Sequence, residues 1–260
     1  PISSYSAEEG LGLFNGTSGT VRVYRNSRDG TFKNVSGDIG TNKPAFAMSA
    51  NFGDIDNDGF PDIYLGTGNP ELESIVPNKM FKNLSGRKFA DITTRARVGH
   101  LQKGHGIAFA DIDNDGDQDI YIELGGAYKG DGFHNSFYMN RGQQHKNNWI
   151  ALDLEGKNHR NVIGTRIKVS FKENEQRRAV YCDVNSGASF GASPLRQEIG
   201  IGTAKIIHKI EIHWHASRDV QVFENVKPNR FLKIREGVDS LQAIPLKRLR
   251  FDNASSHAHH

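Results

Sequence analysis

The order of apolar and polar residues along the chain favours short β-strands over helices. Runs such as IYLGTG from Ile63 and IYIELG from Ile120 are rich in β-branched and aromatic residues and end in glycine, which is typical of strands closed by tight turns. The three-to-four-residue apolar spacing of an amphipathic helix is scarce. Glycine makes up 28 of the 260 residues, above the usual ~7%, as many turns between strands require. We therefore predict an all-β protein.

The first half of the chain repeats itself. The segment FGDIDNDGFPDIYLGTG recurs as FADIDNDGDQDIYIELG, and Asp54 of the first corresponds to Asp111 of the second. Their numbers differ by 111 − 54 = 57, which we call the repeat interval, and Asn26, Asn83 and Asn140 keep the same interval. This period is close to the ~40 to 50 residues of a four-stranded propeller blade. Residues 1–148 are therefore predicted to form propeller blades.

The number of blades follows from the same interval. Counting back one repeat interval from Asp54 passes the start of the chain, so the earliest blade is predicted to retain only its second half. About two and a half blades leave a blade face that needs a neighbour. Further blades of the same polypeptide, or another chain that completes an assembly, are the two sources we expect for that neighbour.

The pattern changes after about Asn148. Segments such as IKVSF and IEIHW alternate apolar and polar residues with a period of two, as expected of half-buried strands in an antiparallel sheet. Residues 149–237 are predicted to form an antiparallel β-sandwich or barrel-like domain. The alternation lapses in residues 238–260, which we interpret as a C-terminal arm or a poorly ordered tail.

Each repeated segment holds an acidic loop with the spacing of a calcium-binding loop. Aspartates occupy positions 1, 3, 5 and 9, glycine occupies position 6, and the residue at position 7 is expected to contribute a backbone carbonyl. The first loop provides Asp54, Asp56, Asp58, Gly59, Phe60 and Asp62, and the second provides Asp111, Asp113, Asp115, Gly116, Asp117 and Asp119. Crowded carboxylates repel each other unless a cation neutralises them. We predict two structural Ca²⁺ ions.

These loops differ from an EF-hand. An EF-hand supplies a glutamate at position 12 and continues into a helix, whereas position 12 here is Leu65 and Ile122, and both lie in β-rich runs. Ordinary solvated turns are the alternative reading of such aspartates, and the recurrence of the whole pattern favours calcium over it. Mg²⁺ is less suited to the loops because it keeps several of its waters.

Charge and composition exclude several other classes of protein. Subtracting 30 acidic from 33 basic residues leaves +3, too little and too scattered for a nucleic-acid footprint. No apolar run approaches the ~18 residues of a transmembrane segment. The lone Cys182 has no partner for an internal disulfide and is interpreted as a small buried apolar residue.

Catalytic signatures are weak. A polar set around the second repeat comprises His100, Lys103, His105, Glu123, Lys129, Asp131 and His134. It is suited to a second metal or to acid–base chemistry, although histidines in glycine-rich loops more often serve turns. His208, His213 and His215 lie along one predicted strand of the second half, and alternation places His208 on the opposite face from the other two. The same-face pair is a candidate for metal ligands, although an exposed polar face is the stronger interpretation. Arg196 and the SGASFGAS stretch are a candidate anion cradle or a plain strand connection.

Both halves resemble known families. DIDNDGFPDIYLGTG and DIDNDGDQDIYIELG are similar to the FG-GAP or VCBS-type repeats of calcium-binding β-propellers, including those of integrin α chains. The segments NVIGTRIKVSF and IEIHWHASRDVQVFENVKPNRFLKIREG resemble the ASPIC/UnbV domain of cartilage-acidic-protein-like proteins. In that domain the tryptophan is usually followed by proline and then glycine, whereas Trp214 is followed by His215.

The resemblance implies a function. It carries the calcium ligands onto the two acidic loops, where the positions match, and assigns no catalytic residue. It implies a secreted or periplasmic interaction module that presents a rigid β scaffold to a protein or glycan. Two alternatives are a cyclising or alkylating enzyme of natural-product biosynthesis, because some proteins of that kind share these repeats, and a structural subunit of a larger assembly.

Overall fold

The computed structural model describes residues 19–68, 76–126, 129–130, 132–142, 147–159 and 161–251. Its sheets fall into two groups, one built from the repeated half of the chain and one from the half that follows. The fold is all-β, as predicted, and the two α-helices in the described part of the chain have four residues each.

The repeated half forms three propeller-like blades. Successive strands within each blade pair antiparallel, giving sheets of two, four and three strands. The strands are β1 (Tyr24–Asn26) and β2 (Phe32–Asn34) in blade 1; β3 (Ala47–Gly53), β4 (Asp62–Thr67), β5 (Lys79–Leu84) and β6 (Lys88–Asp91) in blade 2; and β7 (Gly104–Ala110), β8 (Asp119–Leu124) and β9 (Ser136–Tyr138) in blade 3. Helices α1 (Ser36–Ile39) and α2 (Thr93–Ala96) follow β2 and β6. The predicted partial propeller is confirmed.

The repeat interval is kept by the strands themselves. Strand β3 begins at Ala47 and β7 at Gly104, and β4 begins at Asp62 and β8 at Asp119. Both differences, 104 − 47 and 119 − 62, equal the interval found between the acidic segments. Both acidic loops therefore connect the first two strands of a blade.

Blade 2 is buried on both faces because blades lie on either side of it. Side chains of β4 alternate between these faces. Ile63 and Leu65 pack with Val21 of blade 1, whereas Tyr64 packs with Ile107 of blade 3. Both faces of β4 are thus covered, and every residue of the strand is buried. A strand with one face in solvent would instead alternate between buried and exposed residues.

The second half folds into a sandwich of two four-stranded sheets. Their strand orders are β13-β10-β16-β17 and β12-β11-β14-β15. The strands are β10 (Trp149–Glu155), β11 (Arg166–Glu173), β12 (Gln176–Asp183), β13 (Gln197–Gly200), β14 (Ile207–His213), β15 (Val220–Val226), β16 (Phe231–Arg235) and β17 (Gln242–Ala243). Side chains from both sheets, such as Ile150 and Leu152 from one and Val169 and Ile212 from the other, form a single core.

Two details of the sandwich differ from the sequence prediction. Strands β10 and β16 pair in parallel, because the chain crosses to the other sheet between them, so the sandwich is not antiparallel throughout. The register of β14 shifts between its pairings with Ser170 and Phe171, and an irregularity of this kind breaks the alternation of side chains. His208 is consequently exposed, as are His213 and His215, instead of lying on the opposite face.

The turn after Trp214 is closed without the proline and glycine of the resembled domain. The Trp214 amide donates to the Asp219 carbonyl at 2.9 Å, and the Arg218 amide donates to the Trp214 carbonyl at 3.0 Å. Arg218 takes a φ of 69° in this turn. The buried Trp214 indole donates to Gln221 Oε1 at 2.9 Å, which fixes the ring in the core.

Candidate metal centres

The first acidic loop is wrapped around its own carboxylates. Asp54 accepts hydrogen bonds from the amides of Asp58 at 3.1 Å and Gly59 at 2.8 Å. Asp62 accepts from the amides of Ile55 at 3.0 Å and of Asn83 in β5 at 2.7 Å. Gly59 has a φ of 82°, a conformation that glycine adopts at no steric cost. Backbone amides therefore hold Asp54 and Asp62 in place within the loop.

The second acidic loop repeats these four hydrogen bonds, and its Asp115 amide also donates to Asp113 Oδ1 at 3.1 Å. Asp111 accepts from the amides of Asp115 at 3.0 Å and Gly116 at 2.9 Å. Asp119 accepts from the amides of Ile112 at 3.0 Å and of Asn140 at 2.7 Å. Each donor and each acceptor lies one repeat interval after its counterpart in the first loop. The sequence repeat is thus a repeat of local structure.

Two groups of carboxylates can each hold a metal ion. Asp54, Asp56 and Asp62 offer oxygens within 4.8 Å of one another, and Asp111, Asp113 and Asp115 do the same. Six of the ten predicted ligands are brought together in this way. The other four flank the groups in the same loops: Asp58, Phe60, Asp117 and Asp119.

The side chains at position 7 of the two loops, Phe60 and Asp117, contact other parts of the protein. The Phe60 ring lies beneath the Arg178 guanidinium, 4.3 Å from it. The Asp117 carboxylate accepts from Asn57 Nδ2 of the first loop at 2.7 Å. Position 7 therefore links each loop to a neighbouring part of the protein by its side chain, and this leaves the predicted role of its backbone carbonyl unaffected.

Burial raises the pKa values of these carboxyl groups. It raises the pKa of Asp62 to about 7, and burial together with the nearby Glu198 raises the pKa of Asp111 to about 7. Burial and Asp115 raise the pKa of Asp117 to about 6, and burial likewise raises the pKa of Asp119 to about 6. Without a cation the loops hold their negative charge at a cost, because desolvation and mutual repulsion both disfavour the ionised form.

One oxygen of the first group has no partner. Asp56 is buried, and its Oδ1 makes no hydrogen bond in the described part of the chain, whereas its Oδ2 is bound by the Lys82 ammonium. A buried carboxylate oxygen without a donor is unfavourable. The donor set of carboxylate oxygens and this orphaned atom fit a hard divalent cation such as Ca²⁺.

The sandwich is docked on both acidic loops. Glu198 of β13 accepts from the Asp111 amide at 3.0 Å, and Arg196 donates to the Asp111 carbonyl at 2.7 Å. At the first loop, Arg178 donates to the Asp58 carbonyl at 2.8 Å. These sandwich residues lie far from the loops in the sequence, so their place beside the loops could not be predicted from it.

A cleft of about 580 Å³ separates the blades from the sandwich. Arg196, the predicted anion-binding residue, lines the cleft but is paired with Glu198 at 2.7 Å. In the SGASFGAS stretch, Ser193 Oγ accepts from Asn51 Nδ2 and from the Phe109 amide, both at 3.2 Å. These groups join the two halves of the protein, which corresponds to the strand-connection interpretation.

The predicted polar set of the second repeat does not gather into a metal site within the described residues. His100 packs edge-on against Phe133, and His105 packs edge-on against Phe190. The two acidic groups are the clusters of three or more ligand side chains that the described residues provide. Glu123, Lys129 and His134 are exposed and Lys103 is buried, while Asp131 lies outside the described residues.

Cys182 lies at the edge of the sandwich core. It packs against that core from β12, and burial raises the pKa of its thiol to about 12. The thiol is therefore protonated at neutral pH, as the interpretation of an apolar packing residue requires.

Family models match a segment in each half of the chain. The profile of the FG-GAP-like repeat matches residues 12–65, and the ASPIC and UnbV profile matches residues 155–241. The first match includes the first acidic loop, and the repeat interval relates the second loop to it. A search of curated proteins found no match. Within the described residues, no helix is both long and apolar enough to span a membrane.

Proposed function

We propose that this chain, an FG-GAP-like repeat region followed by an ASPIC/UnbV domain, is a calcium-stabilised extracytoplasmic interaction module. FG-GAP-like repeats are generally extracellular and take part in protein interactions. The observation that carries the calcium proposal is the buried, unpartnered Oδ1 of Asp56 within a group of three carboxylates. An ion would supply the positive charge that Lys82 alone does not provide for three carboxylates.

The residues of each loop would hold the ion in the same way. Asp54, Asp56, Asp58 and Asp62 would supply carboxylate oxygens and Phe60 its carbonyl, with the equivalent residues in the second loop. Backbone amides donate hydrogen bonds to the Asp54 and Asp62 carboxylates and hold these side chains in place. Ion binding would therefore have to order few further side chains.

Ion binding would also stiffen the junction between the two halves. The loops that bind the ions are those on which the sandwich is docked, through Arg178 at the first loop and Arg196 and Glu198 at the second. A fixed orientation of blades and sandwich would give a rigid surface, and binding loops are typically presented on such scaffolds. A protein or glycan is the partner class we propose.

Calorimetric titration and thermal unfolding test the calcium proposal. We expect the wild type to bind two Ca²⁺ ions, at concentrations on the order of 10⁻⁴ to 10⁻³ M as for extracellular modules, and to melt at a higher temperature with calcium than with a chelator. Asp56→Asn and Asp113→Asn should each remove one ion. Asp38→Asn is the control, since Asp38 is an exposed aspartate outside both groups. Equal melting temperatures in calcium and chelator would refute the proposal.

A further inference from the structure

The C-terminal arm, residues 244–251, is attached to the second acidic loop. The Leu249 amide donates to the Asp113 carbonyl at 2.7 Å, and Asn114 Nδ2 donates to the Lys247 carbonyl at 3.2 Å. The Arg248 guanidinium pairs with Asp115 Oδ2 at 2.6 Å and lies 3.9 Å from Asp113 Oδ2. The arm thus contacts the carboxylates that would bind the second ion.

The arm occupies the place of a following blade. Asn57 of the first loop donates to the Gly116 carbonyl in the next blade at 3.0 Å. Asn114, the counterpart of Asn57 in the second loop, donates to the arm in the same manner. The sequence of the arm has none of the repeated acidic pattern, so its role as a substitute neighbour is evident only from the contacts.

The arm also supplies a cation that blade 3 lacks. In blade 2, Lys82 pairs with Asp56 of the first loop. The residue one repeat interval later is Met139, since 82 + 57 = 139, and methionine has no charge to offer. Arg248 brings the missing positive charge to the second loop.

Lys82 and Arg248 differ in which carboxylate oxygens of their loops remain without a partner. Lys82 takes one oxygen of Asp56 and leaves the other unpartnered. At Asp115, Oδ1 accepts from the Asp117 amide at 3.0 Å and Oδ2 is held by Arg248, and Asp115 belongs to the second carboxylate group. An ion that takes Asp115 as a ligand must therefore compete with Arg248.

Apolar contacts hold the arm only weakly. Leu246, Leu249 and Phe251 are 39, 44 and 50% exposed, and the ring of Phe251 meets that of Phe137 at 5.9 Å. The Arg248 ion pair therefore holds the arm together with the hydrogen bonds at Leu249 and Lys247, and its loss should weaken the docking.

We propose that Arg248 and a divalent cation compete for the second acidic loop, so that calcium favours release of the C-terminal arm. This inference rests on the proposed calcium function. Because the two binding events are linked, docking of the arm lowers calcium affinity by the same factor by which calcium weakens docking. Release uncovers the surface around Met139 and Arg141, which the arm now borders.

Hydrogen exchange of the full chain tests the release directly. Saturating calcium should speed exchange of the Leu249 amide, which loses its bond to Asp113, and slow exchange of the Gly116 amide inside the loop. Unchanged or slower exchange at Leu249 in calcium would overturn the proposal.

Calcium titration of two matched variants tests the competition. Arg248→Gln should raise the calcium affinity of the second loop about two- to fivefold, the range for a partly exposed ion pair. Arg250→Gln, which changes an exposed arginine two residues away, should leave it unchanged. Equal affinities of wild type and Arg248→Gln would contradict competition.

Failure of the two proposals can be told apart. Loss of one ion in Asp113→Asn assigns the signal of the second loop. If that loop binds calcium while the arm stays docked, only the release proposal is wrong. If calcium binds to neither loop, in wild type or in Arg248→Gln, both proposals are wrong. Binding at the second loop in Arg248→Gln alone would support the competition while limiting the calcium function to the first loop.

Discussion

Lys82 and Arg248 each pair with a carboxylate of one acidic loop, Lys82 with Asp56 at position 3 and Arg248 with Asp115 at position 5. Lys82 lies in β5 of the blade that contains its loop and pairs with Asp56. Arg248 lies in the C-terminal arm, 133 residues after its partner Asp115. Each brings one positive charge to a set of carboxylates whose pKa values are raised by burial. The loops therefore have the same shape but different neutralising partners.

We expect Lys82→Met, which copies Met139 of the other blade, to destabilise the ion-free protein by about 1–3 kcal/mol, because the buried Asp56 loses its charged partner. With saturating calcium the cost should be smaller, since the ion neutralises the same group. Melting temperatures in chelator and in calcium measure this difference. Lys88→Met, at an exposed position of β6, is the control and should have little effect in either condition. An equal cost in both conditions would contradict the prediction.

Stability of the ion-free protein should fall as the pH rises from about 5 to about 8. Asp62 and Asp111 have pKa values of about 7, and Asp117 and Asp119 of about 6, all above the ~3.9 of an unfolded aspartate. The folded state therefore binds more protons than the unfolded state in this range, and the stability these groups contribute at low pH is lost as they ionise. Thermal melts in chelator measure the fall. Calcium should reduce it, and a stability that rises over this range in chelator would refute the assignment.

Gly116→Ala should lower the free energy of unfolding by about 2–4 kcal/mol, because the alanine would add both backbone strain and overpacking. Gly116 has a φ of 98°, and an added Cβ would lie 2.0 Å from the Trp149 ring. Gly237→Ala is the matched control, because Gly237 also has a positive φ of 78° but has open space around it. Urea unfolding followed by tryptophan fluorescence compares the two. If both variants lose the same stability, the contact with Trp149 contributes nothing.

Arg178→Lys should weaken the attachment of the sandwich to the first loop. Arg178 pairs with Glu173, donates to the Asp58 carbonyl and covers the Phe60 ring. A lysine keeps the charge but cannot make these contacts together, so a loss of about 1–2 kcal/mol is expected. Urea unfolding measures it, and Arg177→Lys, at the exposed neighbouring position of β12, should have no effect. Similar losses in both variants would show that the contacts of Arg178 are not specific.

Repetition made the blades and their loops predictable from the sequence. The shape of each acidic loop is determined locally, because its aspartates and glycine lie within one short stretch of chain and their spacing limits how the chain can wrap. The family resemblance of both halves was confirmed by the profile matches. The bond-for-bond match of Asp54 with Asp111 and of Asp62 with Asp119 shows that the interval encodes geometry as well as composition.

Prediction was wrong where a strand departed from ideal alternation. A shift of register in β14 leaves His208 exposed, and no residue in IIHKIEIHW indicates that the register shifts. The parallel pairing of β10 with β16 was equally hidden, because alternation is the same for parallel and antiparallel neighbours once one face of a sheet is solvated.

Local features could be predicted without a structure: the all-β class, the repeated blades, the acidic loops and the alternating strands of the second domain each depend on residues close together in the chain. The groups that surround the loops, by contrast, depend on how distant parts of the chain fold together. The tertiary structure brought Glu198 to the amide of Asp111, Arg178 to the first loop and Arg248 to Asp115. These contacts join residues 87, 120 and 133 positions apart, and the electrostatic environment of a buried carboxylate depends on what is near it in space.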